Sequence, residues 1–530
     1  MIGFAALVAA SPAAANTQSP DLAAYVRGRA AEADGAAAQA ASDYQSALEA
    51  SPGNALVAAR AYREGLTAGD MALALRSVRT LRQAGVAPPD SSLLLLADAV
   101  ARGESKDAVT YAGELANGPL DFLQPVVLAW LSADRDPAEA AATLSDKSGN
   151  ALGRRYANEH RALLLIAAGN ADKAMKILDP MLVANRADLD LRLNAAQLLA
   201  DKGYKELALR LLGGDNPTMV ALRGALGDGT KPTPAFGVSR VYTELASSLN
   251  SDRLQPLSTL LIRAALMMAP DYDRARLTLA DSLSRQGDDA AAEQALAGIG
   301  EKSGLSRMAA IERREVLERA GDNEGALSLG KSLADALQAT VSDVRAYGDL
   351  LADAGRYDDA AVAYGQAIAL AGDQAGWALY LQRGGALEQA GQWGEALPLL
   401  NKAVALAPDE PVALNYLAYA KVERGEDLSD AQAMLERALK LKPGDPSIVD
   451  SLGWAYYKRG ALQKALPLLE QAAQAEPSDV TINEHLGDAY WRAGRRYEAR
   501  YAWRAAAIYA DDHEAERLRD KIADGLGEAS

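Results

Sequence analysis

The chain has no cysteine, which excludes disulfides, thiol chemistry and cysteine-ligated zinc. Its three histidines, His160, His485 and His513, form no His-Glu-x-x-His arrangement, so the zinc-hydrolase pattern is missing. No Gly-x-Ser-x-Gly elbow occurs, and the nearest serine–glycine pair, Ser451 and Gly453, belongs to a repeated Leu-Gly core. Aromatics make up only 5% of the residues, too few for a protein built from strands. Basic residues number 55 against 71 acidic ones, and a net charge of −16 makes nucleic acid and anionic membrane surfaces poor partners. After the first residues, no run of 18 apolar positions is free of charge, so nothing further along reads as a membrane span. The expectation is no catalytic residue, no metal and no cofactor.

What the sequence does have is alanine and repetition. Hydrophobic residues reach 49% with few large rings, a composition suited to closely packed helices, and the fold class expected is all-α. The clearest repeat unit is PSIVDSLGWAYYKRGALQKALPLLEQAAQAEPSD, residues 446–479. It places Leu452, Gly453 and Tyr456 on a first helix, Gly460 at the turn, and Ala465, Leu469 and Ala472 on a second, which Pro477 ends. The small residues mark where two helices of about three turns approach closely. This pattern resembles the tetratricopeptide-repeat (TPR) superfamily, whose unit is a helical hairpin on a 34-residue period. The resemblance implies an α-solenoid, a right-handed superhelix of hairpins.

The inter-helix glycine serves as a ruler. In the first half it falls at Gly35, Gly69, Gly103, Pro137 in the same place, Gly169 and Gly203, in steps of 34, 34, 34, 32 and 34. Six hairpins are expected over 21–213, the one around Pro137 being highly degenerate. The next equivalent place, Arg253, comes 50 residues after Gly203, so residues 214–238 are expected to form a linker between two arms. Within it, Gly227-Asp228-Gly229-Thr230-Lys231 lacks phosphate-loop spacing, and no strand precedes it. The second half runs through Gly287, Gly321, Gly355, Gly391, Gly425, Gly460 and Gly494, beside Ala292, Ala326, Ala360, Ala396, Ala431, Ala465 and Ala499. That gives eight further TPRs over 239–513, and about fourteen hairpins in all. A capping helix and tail are expected over 514–530, with Ala515, Leu518, Ile522 and Leu526 on one face and Glu514, Arg517, Arg519 and Lys521 pointing elsewhere.

Residues 1–15 contain an apolar run ending in Ala13, Ala14 and Ala15, the pattern of a secretory signal and its cleavage site, although no basic residue precedes the run. Export is expected, to the periplasm or outer membrane, with a cytoplasmic location as the alternative. The strings at 414–420, 448–460 and 482–495 resemble the C-terminal block of large exported TPR proteins of Gram-negative bacteria, a family without a settled function.

In this superfamily the first helix of each hairpin lines an inner groove. The inner row of the last three repeats would hold Asn415, Tyr419, Asp450, Trp454, Tyr457, Lys458, Glu484, Asp488, Trp491 and Arg492. Alternating aromatic and charged groups suits recognition of a protein or peptide segment. Tyr457 also fits a packing role, and Trp503 holds a core position of its second helix. Glu484 and Asp488, four residues apart, are expected to stay solvated and to meet a cationic partner or Arg492. Arg492, Arg495, Arg496, Arg500 and Arg504 read as a solvated face or an anion-contacting rim. The function expected is a non-enzymatic scaffold binding a partner in the C-terminal groove, with the six weaker repeats as a second docking arm. The alternative is an accessory protein of polysaccharide or cell-wall glycan assembly or export, with Tyr419, Trp454 and Trp491 stacking on sugar rings.

Overall fold

Most hairpin turns among the described residues are made by a glycine that leaves the helix with positive φ, where any side chain but hydrogen is strained. Gly460 does so at φ +74°, and glycines from Gly35 to Gly494 on the same period adopt the same conformation. The Leu-Gly position works by contact instead: a Cβ on Gly453 would lie 2.9 Å from Leu469 of the facing helix. All seven alanines from Ala292 to Ala499 in the second-half series are fully buried. In the two best-formed repeats the first helix is started by an aspartate, Asp445 or Asp479, whose side chain accepts a backbone N–H three residues on.

The structure, a computed structural model, describes residues 22–144, 150–183, 189–249 and 251–527. The apolar segment 1–15 and the last three residues of the 514–530 tail lie outside the described residues. The described residues contain thirty α-helices and no strand, and they divide into two units, one ending at Asp322 and the other starting at Asn323.

In the first unit the hairpins are α1 and α2 (Leu22–Ala33, Ala37–Ala50), α3 and α4 (Ala55–Ala68, Met71–Gln83), and α5 and α6 (Ser91–Ala101, Ser105–Glu114). They continue as α7 and α8 (Gln124–Ser132, Pro137–Thr143), α9 and α10 (Ala151–Ala167, Ala171–Val183), and α11 and α12 (Leu189–Asp201, Lys205–Leu211). A single helix α13 (Pro217–Ala225) precedes α14 and α15 (Pro234–Ser248, Gln255–Met268), α16 and α17 (Asp273–Arg285, Asp289–Ala297), and α18 (Ser306–Arg319). The second unit holds α19 (Asn323–Ala334), α20 and α21 (Val341–Asp353, Tyr357–Ala371), and α22 and α23 (Trp377–Gln389, Trp393–Leu406). It ends with α24 and α25 (Pro411–Arg424, Leu428–Leu441), α26 and α27 (Pro446–Lys458, Leu462–Ala475), α28 and α29 (Val480–Arg492, Arg496–Tyr509), and α30 (Asp512–Asp524). Paired in chain order within each unit, the described helices make thirteen hairpins, with α13, α18, α19 and α30 left single.

The position of the division corrects the expected linker. Residues 214–238 lie inside the first unit, and from Pro234 onward they form α14, a helix of its core. The reason is packing: α14 lies against α7 and α5, and α15 against α5 and α3. Tyr242, fully buried, donates to the Leu93 carbonyl at 3.1 Å, and Arg263 donates to the Thr67 carbonyl near the C-terminus of α3 at 2.6 Å. A Cβ at Gly237 would overlap the indole of Trp130 on α7, which is itself fully buried. Where the ruler loses its glycine at Arg253, residues Asp252–Leu254 form a short 3-10 turn instead.

Candidate functional site

Helical spacing sets the inner row of the second unit. On α26, Asp450, Trp454 and Lys458 recur every four residues and so share one face; on α28, 34 residues later, Glu484, Asp488 and Arg492 do the same. Burial along this row is graded. Asp450, Trp454, Glu484 and Asp488 are buried at 4–7% exposure, Asn415, Tyr419, Tyr457 and Trp491 are half-buried, and Lys458 and Arg492 at the C-terminal ends of their helices are exposed.

The buried members are held mainly by helices one hairpin away. Asp450 meets His485 Nδ1 at 2.8 Å, and the His485 ring stacks on Trp454 with centroids 3.9 Å apart. Tyr457 also lies nearly parallel to Trp454, at 4.5 Å, which fits its packing role. The Trp454 indole N–H donates to Glu423, and Lys458 sits 5.2 Å over the indole. Glu484 is bridged by Arg517 at 2.8 Å and by Lys521 at 2.7 Å, both from α30. Lys521 also reaches both oxygens of Asp488 at 2.8 Å, while Trp503 Nε1 donates to Asp488 Oδ1 at 2.9 Å. Burial holds the Asp488 carboxyl above the usual carboxylate range, with Lys521 and the Trp503 indole opposing that shift.

Three expectations change as a result. Glu484 and Asp488 are not solvated groove carboxylates, and their cations come from α30 rather than from Arg492. Arg517 and Lys521 do not point away from the array, because the two carboxylates beneath α30 draw them inward. The expected second arm is also not open along its whole length, because α14 and α15 pack against the first helices of three of its six hairpins. Trp503, by contrast, is fully buried as expected.

What remains open in the second unit is a groove of about 630 Å³ bounded by Trp454, Tyr457, Lys458, Asp488 and Arg492, with Leu526 and Gly527 on its far wall. Five of the ten expected residues meet there. Asn415 and Tyr419 stand one repeat earlier, and Asn415 Oδ1 is buried without a hydrogen-bond partner among the described residues. Trp491 turns away from the groove: its indole N–H donates to the Leu526 carbonyl at 3.2 Å and Arg496 covers its ring at 3.8 Å. Of the arginine patch, Arg495 pairs with Glu470 and Glu498, and Arg500 donates to the Ile522 carbonyl.

Sequence reasoning missed His485 and Glu423, which organise Trp454. The available signal was the period, since His485 follows Ser451 by 34 residues on the same face. It also missed Tyr497 and Tyr501, which stand 82% and 68% exposed one turn apart on α29.

Tetratricopeptide-repeat family models match residues 346–411, 387–455 and 451–515. No curated protein matches the chain. Among solved structures, a thermophilic TPR protein of Thermus thermophilus is 23% identical, with 35% of this chain and 98% of that one covered and a TM-score of 0.31. A tetratricopeptide repeat protein of Parabacteroides merdae is 14% identical over 47% of this chain and 97% of that one, with a TM-score of 0.42. A chain of the APC/C hetero-tetramer Cut9–Hcn1 is 14% identical over 95% and 96%, with a TM-score of 0.38. Among the described residues no helix is long and apolar enough to cross a membrane.

Proposed function

From the premise that this chain belongs to the tetratricopeptide-repeat superfamily, a group of protein-interaction scaffolds, we propose that it is a non-enzymatic adaptor that docks a protein segment in the inner groove of its second unit. The observation that carries this reading is the groove between α26, α28 and the residues after α30, where exposed Lys458 and Arg492 stand beside Tyr457 over a buried floor. Two exposed cations with an aromatic wall suit a segment that carries an acidic side chain next to an apolar one. Asp450 and Asp488 stabilise the groove from beneath rather than meeting the partner, since both are committed within the unit.

Sugar stacking draws less support. Trp454, the central ring of that alternative, is 6% exposed and already stacked on His485 and Tyr457, so it offers little face to a pyranose. We place the adaptor in the bacterial cell envelope, on the apolar run within residues 1–15; fractionation of cells expressing the natural gene separates that location from the cytoplasm.

The test uses the full chain with Lys458→Glu and Arg492→Glu together. A protein retained by the wild type is identified, purified and titrated against both forms. The double reversal is expected to weaken binding at least about ten-fold while the melting temperature stays put. Equal affinity for both forms would remove the groove from the account.

A further inference from the structure

We propose that a cavity in the first unit, between α11, α13 and α14, binds a small monoanionic carboxylic acid with an apolar body, anchored by Arg240.

The cavity holds about 400 Å³, within the range of small-molecule sites. Arg240 lies on its wall and is 6% exposed. Its guanidinium is sandwiched by aromatics, 4.0 Å from the Phe236 centroid and 3.8 Å from that of Tyr272. Rings satisfy the faces of a guanidinium but not its N–H edge. Along that edge, Nη1 donates to Ser239 Oγ at 3.0 Å, and Nε is buried with no hydrogen-bond partner among the described residues. No carboxylate among the described residues bridges Arg240. The acid that senses it electrostatically, Asp190, is bridged by Arg274 at 2.5 Å. Burial lowers the Arg240 pKa to about 10, which still leaves it cationic at neutral pH. A desolvated cation without a counterion is unfavourable unless a ligand supplies one, and the planar fork of arginine matches a carboxylate.

The rest of the wall narrows the ligand class. Its ionisable chains besides tyrosine are Arg240, Arg274, Lys302, Asp271 and Asp273, three positive and two negative, leaving one net positive charge. That favours a monoanion over a phosphate dianion. Leu193, Leu222 and Leu226 supply apolar surface for the remainder of the molecule.

The wall is also preformed. Thr230 N donates to the Gln197 carbonyl at 3.1 Å, fixing the loop after α13 against α11. Gly229 beside it has φ +80°, and a Cβ there would collide with the backbone of Gln197 and Asp201. The glycine-rich stretch that fails as a phosphate loop therefore closes this cavity.

The experiment is thermal unfolding and calorimetric titration of the full chain with hexanoate and phenylacetate, beside hexanamide and inorganic phosphate. Two variants accompany it: Arg240→Met, which removes the charge at similar volume, and Ala225→Trp, which fills the cavity and leaves Arg240 in place. The wild type should bind at least one of the two acids and melt higher with it, whereas hexanamide and phosphate should do neither. Both variants should weaken acid binding at least about ten-fold. Without ligand, Arg240→Met should melt no lower than the wild type, as replacement of a buried unpaired charge allows. A guanidinium that served only to bind the two rings would instead show a sharp drop there and no response to acid. The proposal is overturned if neither acid at about 10 mM shifts the wild type. Equal responses to hexanamide or phosphate, or undiminished binding by Ala225→Trp, would also overturn it. Ala225→Trp decides the matter should Arg240→Met fail to fold.

Discussion

The two units are built from the same hairpin but bury it differently. In the first, one apolar cluster runs from Ala24 to Val316, joining helices hundreds of residues apart through α14 and α15. In the second, the buried apolar residues fall into several separate clusters, the widest running only from Leu351 to Leu417, with Ala418, Leu435 and Trp454 in another and Ala499, Trp503 and Leu518 in a third. The second unit has the nearest-neighbour energetics of a repeat array, whereas the first has acquired a common core. The difference follows from what occupies the inner face. Leu260, Leu261, Ile262, Ala264 and Ala265 on α15 are all fully buried, so the first unit fills its own concavity with chain. The second unit leaves part of its concavity open and lines the rest with paired charges.

The largest effects should come from the two core tryptophans, and they should differ in reach. Trp130→Ala removes a fully buried indole that donates to His160 Nδ1 at 2.9 Å, and should destabilise the first unit by about 3–5 kcal/mol. Trp503→Ala should cost a similar amount locally, also about 3–5 kcal/mol. Hydrogen exchange distinguishes them: protection should fall together across α5, α7, α9 and α14 in the first case, and only across α28, α29 and α30 in the second. A loss limited to α7 in Trp130→Ala would show that the first unit is also a chain of local contacts. Next in size is Lys521→Met, which leaves Glu484 and Asp488 without their shared ammonium. Denaturant titration should show a loss of about 3 kcal/mol, as for a buried pair broken from one side.

These differences were only partly legible in the sequence. Turn glycines and inter-helix alanines were, because each answers a local demand: positive φ in one case, and close approach within one hairpin in the other. Trp503 was legible for the same reason, since it packs on Gly487 and donates to Asp488 within its own repeat. The contacts of Tyr242 with Leu93 and of Arg263 with Thr67 span 149 and 196 residues, and no period announces them. Nor does amphipathic spacing show which charges of a polar face turn inward. Arg517 and Lys521 look like the solvent side of α30 until α28 supplies two carboxylates beneath it. The same limit applies at the site: Asp450 and Trp454 share one helix face, as the spacing predicts, but their partners His485 and Glu423, like those of Glu484 on α30, are set by tertiary packing.

A smaller effect tests the charge buried inside the common core. Glu159 on α9 is 5% exposed, bridged by Arg155 at 2.9 Å, and burial followed by the nearby Glu244 raises its pKa to about 8. The unfolded chain ionises it near its ordinary value, so its contribution to stability is fully present at low pH and is lost as pH rises towards about 8. His160 works the opposite way: burial lowers its pKa to about 4, so its contribution is lost as pH falls from about 6.5 to 4. Between about pH 6.5 and 8 only the Glu159 term of this pair still changes. Stability of the first unit should decline there by roughly 1–2 kcal/mol, and Glu159→Gln should flatten that decline in denaturant melts at each pH. An unchanged slope would mean that Glu159 is ionised in the folded core.

The smallest effect on stability bears most directly on which face of the second unit meets a partner. Tyr497 and Tyr501 stand largely exposed on α29, and Arg504 lies 5.9 Å from the Tyr501 ring. Because neither ring is buried, Tyr497→Ser with Tyr501→Ser should change folding stability by no more than about 0.5 kcal/mol. If the inner groove is the docking surface, a purified partner should bind this variant as it binds the wild type and lose affinity only when Lys458 and Arg492 are reversed. The converse result would move docking to α29, where tyrosine and arginine together have the composition of an interface hot spot. The buried charge pairs of the inner row would then be read as the devices that set the spacing of adjacent repeats.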